Sequence, residues 1–140
     1  MGQAAFANPS MFEEPVQNPG TKLVDPATTQ EQKTYALIMH LSLLASHFIP
    51  FALVLAPLIM WQIKKDESAY LDDQGREVVN FQLSLLLYGL VLTALALITC
   101  GFAAIGFIPL YILAVVGMIL GAIASSKGEY FRYPATMRLI

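Results

Sequence analysis

The side chains able to do chemistry in this chain are polar ones set among apolar neighbours. His40, Ser42 and His47 lie in one hydrophobic stretch and Gln62 at its end; Arg76, Glu77, Asn80, Gln82, Ser84 and Tyr88 lie where a second begins. An imidazole, carboxamide or hydroxyl in hydrocarbon needs a partner, so such residues mark interhelical hydrogen bonds, substrate paths or proton relays. His40 and His47 are seven apart, which places them on one helix face but about 10 Å apart along its axis. That is too far for one metal ion on a continuous helix, and no metal site is expected. His40 with Ser42 reads as an interhelical hydrogen-bond site, the sharper alternative being a proton relay. Arg76, Asn80 and Ser84 share a face at steps of four, with Glu77 beside them, Gln82 and Tyr88 deeper, and Gln62 at matching depth on the preceding helix. This set reads as a polar cluster that locks helix ends; a binding or conduction site is the alternative. No acidic residue lies in mid-span, which argues against an ion-coupled pump.

No catalytic constellation accompanies these residues. HExxH, GxSxG, CxxC and a phosphate-binding glycine loop are all absent from the sequence. The expectation is a non-enzyme without catalytic residues, cofactor or metal. Cys100 is the only cysteine and sits in an apolar run, so it reads as a small packing residue. The net charge of −2 is mild, and the basic residues form no stripe with aromatics, which excludes nucleic acid as a partner.

The elements that must position these groups follow from charge segregation. Charged residues are 13% of the 140, hydrophobic ones 56%. No Asp, Glu, Lys or Arg occurs from Thr34 to Ile63, or from Val78 to Ser126. A surface helix of a small soluble domain carries a polar stripe, and these blocks have none. A bilayer core is about 30 Å thick and takes about 20 helical residues. The second block is long enough to cross twice, turning between Thr99 and Pro109, where glycine ends one helix and proline starts the next. The first block is long for one crossing and short for two. Pro50 breaks it near His47, and Pro57 adds a kink. The fold expected is all-α: a polytopic integral membrane protein with four transmembrane helices as two hairpins, near residues 32–47, 50–64, 76–100 and 107–127. Three spans with a kinked first helix is the alternative. Residues 1–30, with four prolines and no helical period, read as a disordered polar lead to a helical domain over 31–140.

Only four spans put all eight basic residues on one side, which the positive-inside rule assigns to the cytoplasm, together with the central loop and the carboxy terminus. The membrane expected is the bacterial inner membrane. Trp61, Lys64, Lys65, Lys127, Tyr130, Arg132 and Tyr133 are the expected interface anchors. Asp72 or Asp73 is expected to cap the third helix. Helix packing is expected along Ala114, Gly117, Gly121, Ala124 and Ser125 of the last helix against Gly89, Thr93 and Ala96 of the third, since small residues let helices approach in lipid. The seam either closes the hairpin or joins two copies.

Several runs carry a resemblance: Pro57-Leu58-Ile59-Met60-Trp61, Lys64-Lys65-Asp66-Glu67-Ser68, Asn80-Phe81-Gln82, and the ending Lys127 to Pro134 with its Tyr133-Pro134. The chain resembles the bacterial small membrane proteins similar to the twenty-kilodalton subunit of the chloroplast inner-envelope protein translocon. The resemblance implies an all-helical membrane fold, and by analogy a link to protein traffic. Three functions follow as expectations: an accessory or structural subunit of a membrane complex, a small channel or transporter, or, least of all, an enzyme. The expected partners are the lipid bilayer and either another membrane protein or a second copy.

Overall fold

The computed structural model describes residues 22–47 and 52–140; the expected disordered lead (apart from residues 22–30) and the break at Pro50 lie outside them, as does the side chain of His47. The elements are α1 (Gln30–Leu41), a 3₁₀ turn (Ser42–His47), α2 (Ala52–Lys64), α3 (Ala69–Ile98), a second 3₁₀ turn (Phe102–Gly106) and α4 (Phe107–Ser126). Thr29 opens α1 with a reciprocal capping box, accepting from the Gln32 N–H while the Gln32 side chain accepts from its own. Residues 22–25 are held by the chain that follows α4, through an antiparallel bridge between Val24 and Glu129 and the 2.8 Å bond from Tyr130 N–H to Leu23.

The start of α3 differs from the expected one. Ser68, not Asp72 or Asp73, is the cap, its hydroxyl accepting from Leu71 N–H at 3.1 Å. The stretch between the helices expected to end at residue 64 and to begin at residue 76 is helical from Ala69 because it is amphipathic: Tyr70, Leu71, Gln74 and Gly75 turn inward, while Arg76 turns out. The turn after α3 falls where the glycine placed it. Cys100 and Gly101 both have positive φ (51° and 93°), and Gly101 N–H returns to the Ala96 carbonyl.

The first block forms two antiparallel helices. Lys64 Nζ lies 3.8 Å from Glu31, and the Tyr35 hydroxyl donates to the Met60 carbonyl at 2.8 Å. One continuous helix would hold Glu31 and Lys64 about 50 Å apart. The single kinked first helix is therefore overturned. The hairpins pack crosswise, α1 chiefly on α4 and α2 on α3. Lys22 pairs with Glu129, the Lys33 stem lies against Gly128, and Arg132 pairs with Asp73. The charged residues of the described chain thus gather at one end of the bundle.

The aromatic anchors are placed otherwise than expected. Trp61, Phe131 and Tyr133 are buried. Trp61 fills the space a side chain at Gly75 would need and donates Nε1–H to Asp72 at 2.9 Å. Arg76 and Lys65 stack their cations against its ring at 5.8 and 5.9 Å. Lys64 is tied to Glu67 at 2.7 Å, and Lys127 is exposed. At the other end the bundle opens: Leu90, Leu97, Ile98, Phe102 and Ile108 are all at least 60% exposed. An exposed apolar belt of this kind marks a surface built to meet lipid or another apolar surface.

Candidate functional site

The polar residues of α3 form a ridge that binds the chain's own ending. Asp73, Glu77, Asn80, Ser84 and Tyr88 recur at steps of four, three, four and four, which keeps them on one helix face. After Gly128 the chain turns back over this face. Arg132 forks onto Asp73 with two bonds of 2.6 and 2.7 Å. Glu77, almost fully buried, accepts Tyr133 N–H at 2.8 Å, and its other oxygen lies 3.9 Å from Arg132 and from Arg138. Tyr88 donates to the Ala135 carbonyl at 2.7 Å. Ser84 accepts Met137 N–H at 2.8 Å. Asn80 accepts the N–H groups of Leu139 and Ile140 and donates to the Ile140 carbonyl, at 2.9 to 3.0 Å. The segment has no helix or strand partners for its backbone, and the ridge supplies them.

Tyr133 joins this ridge to the bundle core. Its ring stacks on Phe81 with centroids 3.9 Å apart and meets Phe131 edge-on. Its hydroxyl reaches His40 Nδ1. His40 Nε2 lies 2.8 Å from Gln74 Oε1, and Gln74 Nε2 donates to the Glu129 carbonyl at 3.4 Å. These bonds are consistent with one direction: Tyr133 O–H donates to Nδ1, and neutral His40 donates through Nε2–H to the Gln74 carbonyl oxygen. A buried network of this kind fixes one arrangement because each member satisfies the next. At the wet edge, hydrogen bonding to Asp73 raises the Arg132 pKa still further, while burial and the nearby Asp25 push the Tyr130 phenol up.

The sequence-predicted cluster is split by this arrangement. His40, Glu77, Asn80 and Ser84 come together. Ser42 instead back-bonds to the Met39 carbonyl at 2.6 Å, one turn behind it. Gln62 is exposed on α2. Arg76 turns aside to Asp72 at 3.0 Å. Gln82 is buried on another face, and neither its amide oxygen nor its nitrogen has a partner among the described residues. The sequence reading did not anticipate Gln74, or the docking roles of Asp73 and Tyr133. The signal for Asp73 was its four-residue step from Glu77; Tyr133 gives none, since its partners are distant in sequence.

The small-residue stripe of α4 is filled from within. A Cβ at Gly117 would meet Phe81 and Tyr133, and one at Gly121 would meet His40 and the Tyr133 hydroxyl. Ala124 and Ser125 are buried and Ala114 half-buried. The stripe expected on α3 does not face it: Gly89 has nothing within 4 Å of a built Cβ, Thr93 is exposed with its hydroxyl on the Gly89 carbonyl, and Ala96 is half-buried. The reason is that aromatic rings of the ending, not α3 backbone, occupy the seam.

The left-handed residue at the segment's tip gives a direct test. Ala135 has φ of 57° just after Pro134, a conformation that disfavours any side chain. Ala135→Gly is expected to raise stability by about 1 kcal/mol, read as a higher unfolding midpoint in detergent.

Four helices, charge confined to one end and a bare apolar belt at the other define a helical membrane protein whose polar side chains bind its own ending. Residues 31–140 match the model of the magnetosome magnetite crystal formation protein family, MamF/MmsF, and the chain belongs to that family. No curated protein and no solved structure matches it. The family match overturns the translocon-like resemblance; of the runs that carried it, Asn80 and Phe81 meet the ending on α3, Phe81 by stacking on Tyr133.

Proposed function

We propose that this chain acts in magnetite crystal formation from within the magnetosome membrane, as a non-enzymatic structural subunit of a membrane assembly. The family match over residues 31–140 carries this reading. The fold supports a membrane seat. Helices α3 and α4, of 30 and 20 residues, reach about 45 and 30 Å, enough to cross a bilayer core. Helix α2, with 13 residues, reaches only about 20 Å, short of the crossing expected of it, so in place of four full crossings we read the first hairpin as entering the bilayer part-way from the charged side, which also keeps its basic residues there. The gathered basic residues favour the cytoplasm for that side.

A structural role fits the polar groups, because the ridge and the His40 network are engaged within the chain rather than lining a path. Deleting the protein from a magnetite-forming cell is expected to change the size or shape of the crystals while the protein, when present, fractionates with magnetosome membranes after an alkaline wash. Solubilised in mild detergent, it is expected to carry along a membrane-protein partner or a second copy. Unchanged crystals on deletion, or release by the wash, would overturn the reading.

A further inference from the structure

We propose that residues 133–140 form a re-entrant strap at bilayer depth, docked in a groove on α3 that binds extended main chain. The proposal rests on reading α3 and α4 as full crossings.

Depth follows from the bonds. The segment is held at Glu77 through residue 133 and at Tyr88 through residue 135; two residues of extended chain reach roughly 7 Å, about a quarter of a bilayer core, and the Tyr88 side chain covers the rest of its distance along α3. At the same levels the neighbouring helix faces outward with apolar side chains. Gly117 of α4 abuts Phe81, and its flanking Val116, Ile119 and Leu120 are about half exposed. At the tip, Tyr88 and Met137 border a recess of about 600 Å³ with Leu110 and Leu113 of α4. An apolar belt of that extent beside the strap puts the strap in the same solvent.

The strap is composed for that solvent. Pro134, Ala135, Met137, Leu139 and Ile140 are exposed, and all are apolar. The one charged side chain, Arg138, is also exposed and lies 3.9 Å from Glu77, towards the charged end. The groove is composed for a peptide backbone. Its carboxylate, amide and two hydroxyls all bond main-chain groups of residues 133–140, while Ser84 also donates to the Asn80 carbonyl and Glu77 also faces Arg132 and Arg138. Left bare at this depth, each would face hydrocarbon at a cost of several kcal/mol. Irregular backbone in a bilayer is tolerated where protein groups satisfy it, so ridge and strap each make the other admissible. This accounts for the carboxamide of Asn80 and the hydroxyl of Ser84 within the charge-free part of α3.

The test uses the full chain with Cys100→Ala, reconstituted in liposomes and carrying one new cysteine at a time: Lys127→Cys, Ala104→Cys or Ala135→Cys. A membrane-impermeant maleimide should label 127 and 104 from opposite sides, and 135 at least tenfold slower than 127 from either side. A fluorophore pre-attached at 135 should be quenched more by nitroxides midway along lipid chains than by those at the headgroup. Adding Asn80→Leu with Ser84→Ala should bring the labelling of 135 up severalfold while 127 stays unchanged. Labelling of 135 as fast as 127, with 104 and 127 on opposite sides, would overturn the strap alone. Labelling of 104 and 127 from one side would overturn the crossing and the strap with it. If the double variant does not fold, the quenching measured on the parent decides.

Discussion

Tyr133→Ala is expected to lower the stability of this protein by about 3 kcal/mol or more, the range for emptying a buried aromatic site. The ring is 6% exposed, stacks on Phe81, meets Phe131 edge-on, and lies over the bare backbone of Gly117 and Gly121. Its hydroxyl is the partner of His40 Nδ1. Tyr133→Phe separates the two contributions. It keeps the stack and removes one hydrogen bond, leaving the imidazole nitrogen unsatisfied, and should cost about 1–2 kcal/mol. Thermal or denaturant unfolding in detergent micelles reads both. Equal losses in the two variants would mean that the hydrogen bond, and not ring packing, holds the ending in place. No loss in either would mean that the segment is not docked.

The second large effect is expected at Gly121. A Cβ there would overlap the His40 ring and approach the Tyr133 hydroxyl at 2.9 Å. Gly121→Val therefore cannot be relieved by a small shift of one flexible side chain; either the imidazole leaves its bonds to Gln74 and Tyr133, or α1 moves away from α4. Overpacking alone costs about 1–3 kcal/mol, and leaving His40 or Gln74 buried without a partner adds about 1–3 more. Gly89→Val is the internal control. Gly89 has open space around it, so the same change there should stay within about 0.5 kcal/mol, as at an ordinary exposed position. A comparable loss at both glycines would show a general cost of valine in these helices rather than a specific seam. A dimer built on the α4 stripe would predict loss of association in Gly121→Val at unchanged monomer stability, a pattern that the internal packing of this residue disfavours.

What the amino-acid sequence decided by itself is the class and gross layout. Uninterrupted apolar runs from Thr34 to Ile63 and from Val78 to Ser126 dictate hydrocarbon-compatible helices, because unpaired charges are excluded from such a solvent. The distribution of basic residues dictated that both hairpins keep their ends together, and glycine and proline near residues 101–109 dictated the turn. Local chemistry was legible as far as one helix turn: Asn80 and Ser84 were recognisable as a shared polar face from spacing alone. It misled where two neighbours compete for one side chain. Arg76 shares that face by period but is drawn off by Asp72 four residues back, and Ser42 by its own preceding turn. Tertiary structure alone decided what the polar face is for. Tyr133 lies 93 residues from His40, and Met137 lies 53 from Ser84. No local pattern encodes such pairings. Aromatic residues after a last helix look like headgroup anchors until the chain reverses at Gly128 and carries them inward. Packing also chose between the two uses of the α4 glycines, because a groove made by missing side chains does not state which atoms will fill it.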